Sequence, residues 1–143
     1  MAAKSSTFDN DLLKLIFNAT PIANIADNAA SSPLTNLYLS LHTATPNVGG
    51  SQTTSEAAYT SYARVAVART SGGFTVSGAS VTLAALTSFP AATGGSETET
   101  YFAVGTASSG AGKVLYFGPI SPTIVVSTGV TPQLTTGTTI TES

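Results

Sequence analysis

One histidine, His42, seven acidic and five basic residues are all that the chain offers for acid–base work. A serine-type hydrolase would need His42 beside a nucleophile and an acid, and the chain has no G-x-S-x-G turn to expose that nucleophile. His42 falls on a predicted strand beside a loop, which predicts a structural or solvent-facing ring. Glu97 and Glu99 stand two apart on another predicted strand, so they share a face. They have the residue types of a glycosidase pair or of part of a Ca²⁺ site. The plainer expectation is a charged, solvated edge that blocks unwanted strand pairing. The remaining acids are scattered, and the absence of Cys excludes both a disulfide and a Cys-ligated metal. No catalytic, cofactor-binding or metal-ligating residue is expected, so the chain is expected not to be an enzyme.

The turn before Lys113 looks like a phosphate loop and fails in detail. A P-loop needs Gly five residues before the Gly-Lys pair and Ser or Thr after the Lys. Here those positions hold Ala107 and Val114. The turn also joins two predicted strands, with no helix N-terminus to receive phosphate. Arg64 and Arg69 lie five apart on one predicted strand and so face opposite sides. Either has the fork to hold a partner carboxylate bidentately, or is an ordinary surface Arg. Tyr38, Tyr59 and Tyr62 are amphipathic enough to anchor an interface or to pack at the core edge. The candidate partner contacts are Phe8, Leu12, Tyr59, Tyr62, Arg64 and Arg69.

These side chains must be held by one domain, the expectation for 143 residues. Only 8% of the residues are charged, against about 25% in an average soluble protein. The apolar share is 42% and the net charge −2, which favours folding over disorder. The surface should be neutral and rich in hydroxyls. Five Lys and Arg are too few for a partner held by phosphate contacts, so no nucleic acid is expected. No run approaches the ~18 apolar residues of a membrane span, and no signal peptide is read at the N-terminus. Asn18-Ala19-Thr20 matches a glycosylation sequon, read as chance.

One segment has helical period. Phe8, Leu12, Leu15 and Ile16 recur at helical spacing over 8–18, with Leu13 and Phe17 widening the stripe. Ser6 or Thr7 can cap its start, and Pro21 stops it. The two lysines Lys4 and Lys14 fall within this region. The stripe must be covered, and packing against a neighbouring subunit is the favoured expectation over packing on its own domain. A connection over 22–35 follows. From Leu37 the period becomes two, with Leu37, Leu39 and Leu41 on the buried face and Tyr38, Ser40 and His42 on the other.

Further strands are predicted over 62–69, 74–77, 81–89, 98–106, 113–118, 123–127 and 133–141. About eight short strands with turn signals every 8–12 residues or so indicate an all-β sandwich or barrel, and eight strands point to the sandwich. The fold class expected is therefore an eight-stranded jelly-roll or Greek-key β-sandwich with one short N-terminal helix. The organisation expected is a helical segment over 1–21, the connection over 22–35 and a β-sandwich domain over 36–143.

The run Leu37-Tyr38-Leu39-Ser40-Leu41-His42-Thr43-Ala44-Thr45-Pro46 is followed by Gly49-Gly50, Gln52-Thr53-Thr54-Ser55-Glu56, Tyr59 and Tyr62-Ala63-Arg64-Val65-Ala66-Val67. Phe89-Pro90-Ala91-Ala92, Val104-Gly105-Thr106 and Val130-Thr131-Pro132-Gln133-Leu134 come later. Together these resemble a family of small tailed-bacteriophage virion proteins that includes capsid decoration or cement proteins and tail-fibre-like proteins. The resemblance to the decoration members implies a jelly-roll subunit on the outer surface of the capsid, made in the host cytoplasm. Its implied partner is the major capsid protein. Self-association is expected as a homo-dimer first, because isologous two-fold contacts are the commonest closed assembly, and as a trimer second. No membrane partner is expected. The alternative is a tail-fibre or tail-tip module that binds a host-surface glycan.

Overall fold

Leu37, Leu39 and Leu41 build strand β1 (Asn36–His42), an inner strand of the largest sheet. The computed structural model of the chain describes residues 6–22, 26 and 33–142. Ahead of β1 stands the helix α1 (Ser6–Asn18). After it come β2 (Val65–Ala68), β3 (Phe74–Ser77), β4 (Ser80–Leu83), β5 (Thr87–Ser88), β6 (Glu97–Gly105), β7 (Val114–Val126), β8 (Gln133–Leu134) and β9 (Thr139–Thr141). All pair antiparallel, into a four-stranded sheet β2-β1-β6-β7, a three-stranded sheet β3-β4-β9 and the two-stranded pair β5-β8. The β-rich class, with one short helix among the described residues, is therefore present.

The two larger sheets share one core. Leu39, Phe102 and Val104 of the first meet Phe74, Val81 and Leu83 of the second around a void of about 10 Å³. That is no more room than a single water needs, so these side chains are close-packed. The two-residue alternation of β1 predicts Ser40 and His42 on a solvated face, and there the structure differs. Both are fully buried. The chain after β1 folds back over it: Ala57 N–H donates to Leu41 O at 2.8 Å, and His42 bridges to Glu56. A covered second face removes the polar side that an alternating strand normally presents.

Helix α1 also differs from its expected orientation. The row that reaches the core is Asp9, Leu13 and Phe17, so the buried centre lies one position round from Phe8, Leu12 and Ile16, on the side that Leu13 and Phe17 were expected only to widen. Leu12, Leu15 and Ile16 are half-buried and Phe8 is 40% exposed. Phe17 packs edge-on to Phe74 at 4.9 Å between ring centres and against Tyr116 at 5.6 Å. Asn10 and Asn18 Nδ2 donate to Gly78 O and Phe74 O, at 2.7 and 2.9 Å. The helix is thus docked on the β3–β4 hairpin of its own chain, which corrects the expectation of intermolecular packing. At its end Ala19 has φ 53° and Thr20 N–H returns to Lys14 O at 3.1 Å, a left-handed helix stop. Lys4, the side chain of Ser6 and most of the 22–35 connection lie outside the described residues.

The predicted strands over 113–118 and 123–127 are one strand, β7. Opposite β6, Glu99 pairs with Ile124 while Tyr101 pairs with Pro119, so residues 120–123 bulge against the single residue Thr100. Pro119 and Pro122 have no N–H to give a ladder, which is why the pairing breaks here. The Ser121–Pro122 peptide is cis. β7 lies at the edge of its sheet, where such a bulge is tolerated.

Candidate binding groove and buried polar clusters

The β7 bulge forms one wall of a groove of about 850 Å³, and the segment 133–139 forms the other. Pro119, Ile120, Ile124 and Leu134 give it apolar walls. Gln133 and Thr135 line it as exposed polar residues. No charged residue lines it. This groove is not legible in the sequence, where 119–122 reads as a break between strands. The available signal was the Pro119-Ile120-Ser121-Pro122 spacing inside an otherwise strand-like run.

The candidate contact residues Tyr59, Tyr62 and Arg64 fall elsewhere and turn inward. Arg64 holds Glu56 bidentately, Nε to Oε1 at 2.6 Å and Nη2 to Oε2 at 2.8 Å, and its side chain is only 3% exposed. Two further N–H groups donate to Ala107 O and Gly110 O at 2.9 and 2.7 Å. One guanidinium thereby ties the loop before β2 to the β6–β7 turn. The Glu56 hydrogen bonds hold the Arg64 pKa above its ordinary value. Tyr62 O–H donates to Glu56 Oε1 at 2.9 Å and accepts Leu41 N–H at 3.1 Å. Burial, above all, pushes the Tyr62 hydroxyl pKa up. His42 sits beside this cluster, with Nε2 against Ser40 Oγ and Nδ1 against Thr54 O, each at 2.9 Å. Burial lowers its pKa, so the ring stays neutral as a structural bridge.

Glu97 and Glu99 do share a face, but β6 lies inside the sheet, between β1 and β7. The expected solvated edge is therefore corrected to a covered strand. Glu97 Oε1 accepts Ala58 and Tyr59 N–H, both at 2.8 Å. Glu99 is fully buried and neither carboxyl oxygen meets a donor group. Its carboxyl is pushed up to about 8, first by burial, then by its hydrogen bond with Glu97 and by the Glu97 charge. That hydrogen bond has Glu99 as the protonated donor, so it arises only in the neutral acid. Tyr59 O–H donates to Pro90 O at 2.9 Å, and burial raises its pKa to about 12.

Arg69 lies on the opposite side of β2 from this cluster. It donates to Leu15 O and Ile16 O at the end of α1, and to Leu34 O. Its positive charge complements the carbonyl end of the helix. Phe8 and Leu12 are on α1, away from Tyr59 and Tyr62. Among the described residues no group of three or more His, Asp or Glu is placed to hold a metal ion. The turn before Lys113 joins β6 to β7, as expected of a hairpin turn.

A family model described as Podophage GP4 fiber I protein gp80 matches residues 3–141. No curated protein matches the chain. The match spans nearly the whole sequence, so the chain belongs to this podophage fibre family, a family of virion proteins. The expectation of a capsid decoration or cement protein on the outer shell is thereby corrected. The motifs behind it are strands and turns, which build a scaffold and do not specify a place on the particle.

Proposed function

We propose that the chain is a non-catalytic module of the phage tail fibre, and that the β7 groove is where it meets a host-surface glycan. The observation that carries this reading is the fibre-family match over residues 3–141. The groove adds the chemistry. A neutral sugar offers apolar C–H faces and hydroxyl groups. Ile120, Ile124 and Leu134 suit the first, and Gln133 and Thr135 the second. An anionic ligand would find no cation in the groove wall.

Self-association belongs to the same proposal, since a fibre module must join its neighbours. The finer fold reading, a jelly-roll or Greek-key sandwich, belongs here as well. It is supported by the core that the four- and three-stranded sheets share.

The test is made on the phage itself. Antibody against the chain should decorate tails, and a Thr135→Trp variant that fills the groove should slow adsorption to the host about tenfold or more, the scale of a few lost sugar contacts. Label found on the capsid shell, or adsorption unchanged by Thr135→Trp, would overturn the proposal.

A further inference from the structure

Glu99 is enclosed within the largest sheet with no donor facing either oxygen, and Glu97 stands two residues away on the same strand face. A carboxylate in that position loses its hydration and receives nothing in exchange. The neutral acid instead has an O–H, which needs an acceptor. The Glu97 carboxylate supplies it. Glu97 has a second task, because its Oε1 also holds the Ala58 and Tyr59 amides at 2.8 Å.

We propose that Glu97 and Glu99 form a proton-held clasp on the segment 57–61. One proton, carried by Glu99 and shared toward Glu97, keeps Glu97 turned inward on the two amides. Loss of that proton releases the Ala58 and Tyr59 amides.

Few other groups bear on the pair. Strand β7 brings Ile124 opposite Glu99, flanked by Thr123 and Val125, none of them titratable. Strand β1 brings His42 opposite Tyr101, but the ring is turned to Ser40 and Thr54. The segment itself brings Tyr59, whose hydroxyl, raised to about 12, stays neutral while Glu99 titrates. Residues 89–96, reached through the Tyr59 hydroxyl, contain no titratable side chain.

Deprotonation leaves two carboxylates side by side on one covered face. Glu97 is half-buried and lies beneath the exposed Ala58, whereas Glu99 is fully enclosed. Turning Glu97 out to solvent is therefore the shorter route to relief, and it strips the acceptor from both amides. Ala57 N–H still bonds to Leu41 O, Thr60 N–H to Gly94 O and Tyr59 O–H to Pro90 O, so the segment loosens at the Ala58 and Tyr59 amides without detaching. Burial sets the pH of this change near the Glu99 value of about 8.

Amide hydrogen exchange of the full chain, read residue by residue, tests the clasp. Protection factors, which divide out the intrinsic pH dependence of exchange, should fall about tenfold or more at Ala58 and Tyr59 between mildly acidic and mildly alkaline pH. In Glu99→Gln, whose neutral amide still donates to Glu97, they should not fall. Equal protection of the wild type at both pH values, or the same fall in E99Q, would overturn the proposal. Where E99Q does not fold, infrared spectra of the wild type decide. A protonated-carboxyl band at neutral pH that disappears on alkalinisation supports the clasp, and its absence at neutral pH overturns it.

Discussion

Replacing Phe17 by Ala asks whether α1 belongs to the core of its own chain. The Phe17 ring is fully buried, edge-on to Phe74 and tilted against Tyr116. Removing it empties a site whose walls come from the helix, the β3–β4 hairpin and β7. Those walls cannot all collapse inward together, so most of the cavity should remain. Buried Phe→Ala changes cost about 3–5 kcal/mol, and the two lost ring contacts place this one near about 4 kcal/mol. Against a domain stability of about 5–15 kcal/mol, F17A should stay folded with little margin.

Urea unfolding measures the loss directly. The midpoint should drop sharply while the slope stays constant, since the surface exposed on unfolding barely changes. Phe8→Ala is the control on the same helix. Phe8 is 40% exposed, so its removal should cost about 1 kcal/mol or less. If F17A kept wild-type stability and instead lost self-association in sedimentation, the helix would be reaching a neighbouring subunit and the packing argument would be refuted. Equal losses from F8A and F17A would refute it too, because they would mean that burial does not rank the two positions.

The Glu99 carboxyl, raised from 4.5 to about 8, keeps its proton in the folded chain where the unfolded chain has already released it. The folded state thus binds more protons between those values, and stability should fall as pH rises from about 4.5 to about 8, then level off, a span worth at most about 5 kcal/mol. Unfolding midpoints across that range check the sign, and the difference between wild type and Glu99→Gln isolates this group from the other carboxylates. Arg64→Ala leaves Glu56 without its bidentate partner in a largely covered site and should cost about 3 kcal/mol. The same variant should raise amide exchange at residues 107–112, where the lost Arg64 donors bind.

Local order was readable in this sequence wherever neighbours along the chain determine it. The leucine alternation gives β1, the hairpin turn before Lys113 follows from its glycines, and the helix ends before Pro21 as a proline requires. Errors appear where a distant segment decides. The α1 stripe is off by one position because Leu13 and Phe17 were as apolar as the predicted row, and only the fit of Phe17 between Phe74 and Tyr116 selects between them. The groove was invisible for a related reason. Two prolines in a strand-like run announce a break in pairing, but not that residues 133–139 lie across from it.

Glu97 and Glu99 depend most on what distant segments do. Their shared face follows from strand geometry alone. Whether that face is wet depends on strand order, since the same two residues on an edge strand would be the solvated guard that charge on an edge normally provides. Placing β6 between β1 and β7, with segment 57–61 laid over it, turns the same pair into a proton-bearing site. Glutamates are almost never fully buried unless paired, and Glu99 is fully buried with Glu97 as its neighbour on the same face. Here the enclosed acid leaves its partner free to hold two backbone amides, which a pair of ionised carboxylates in the same place would not do.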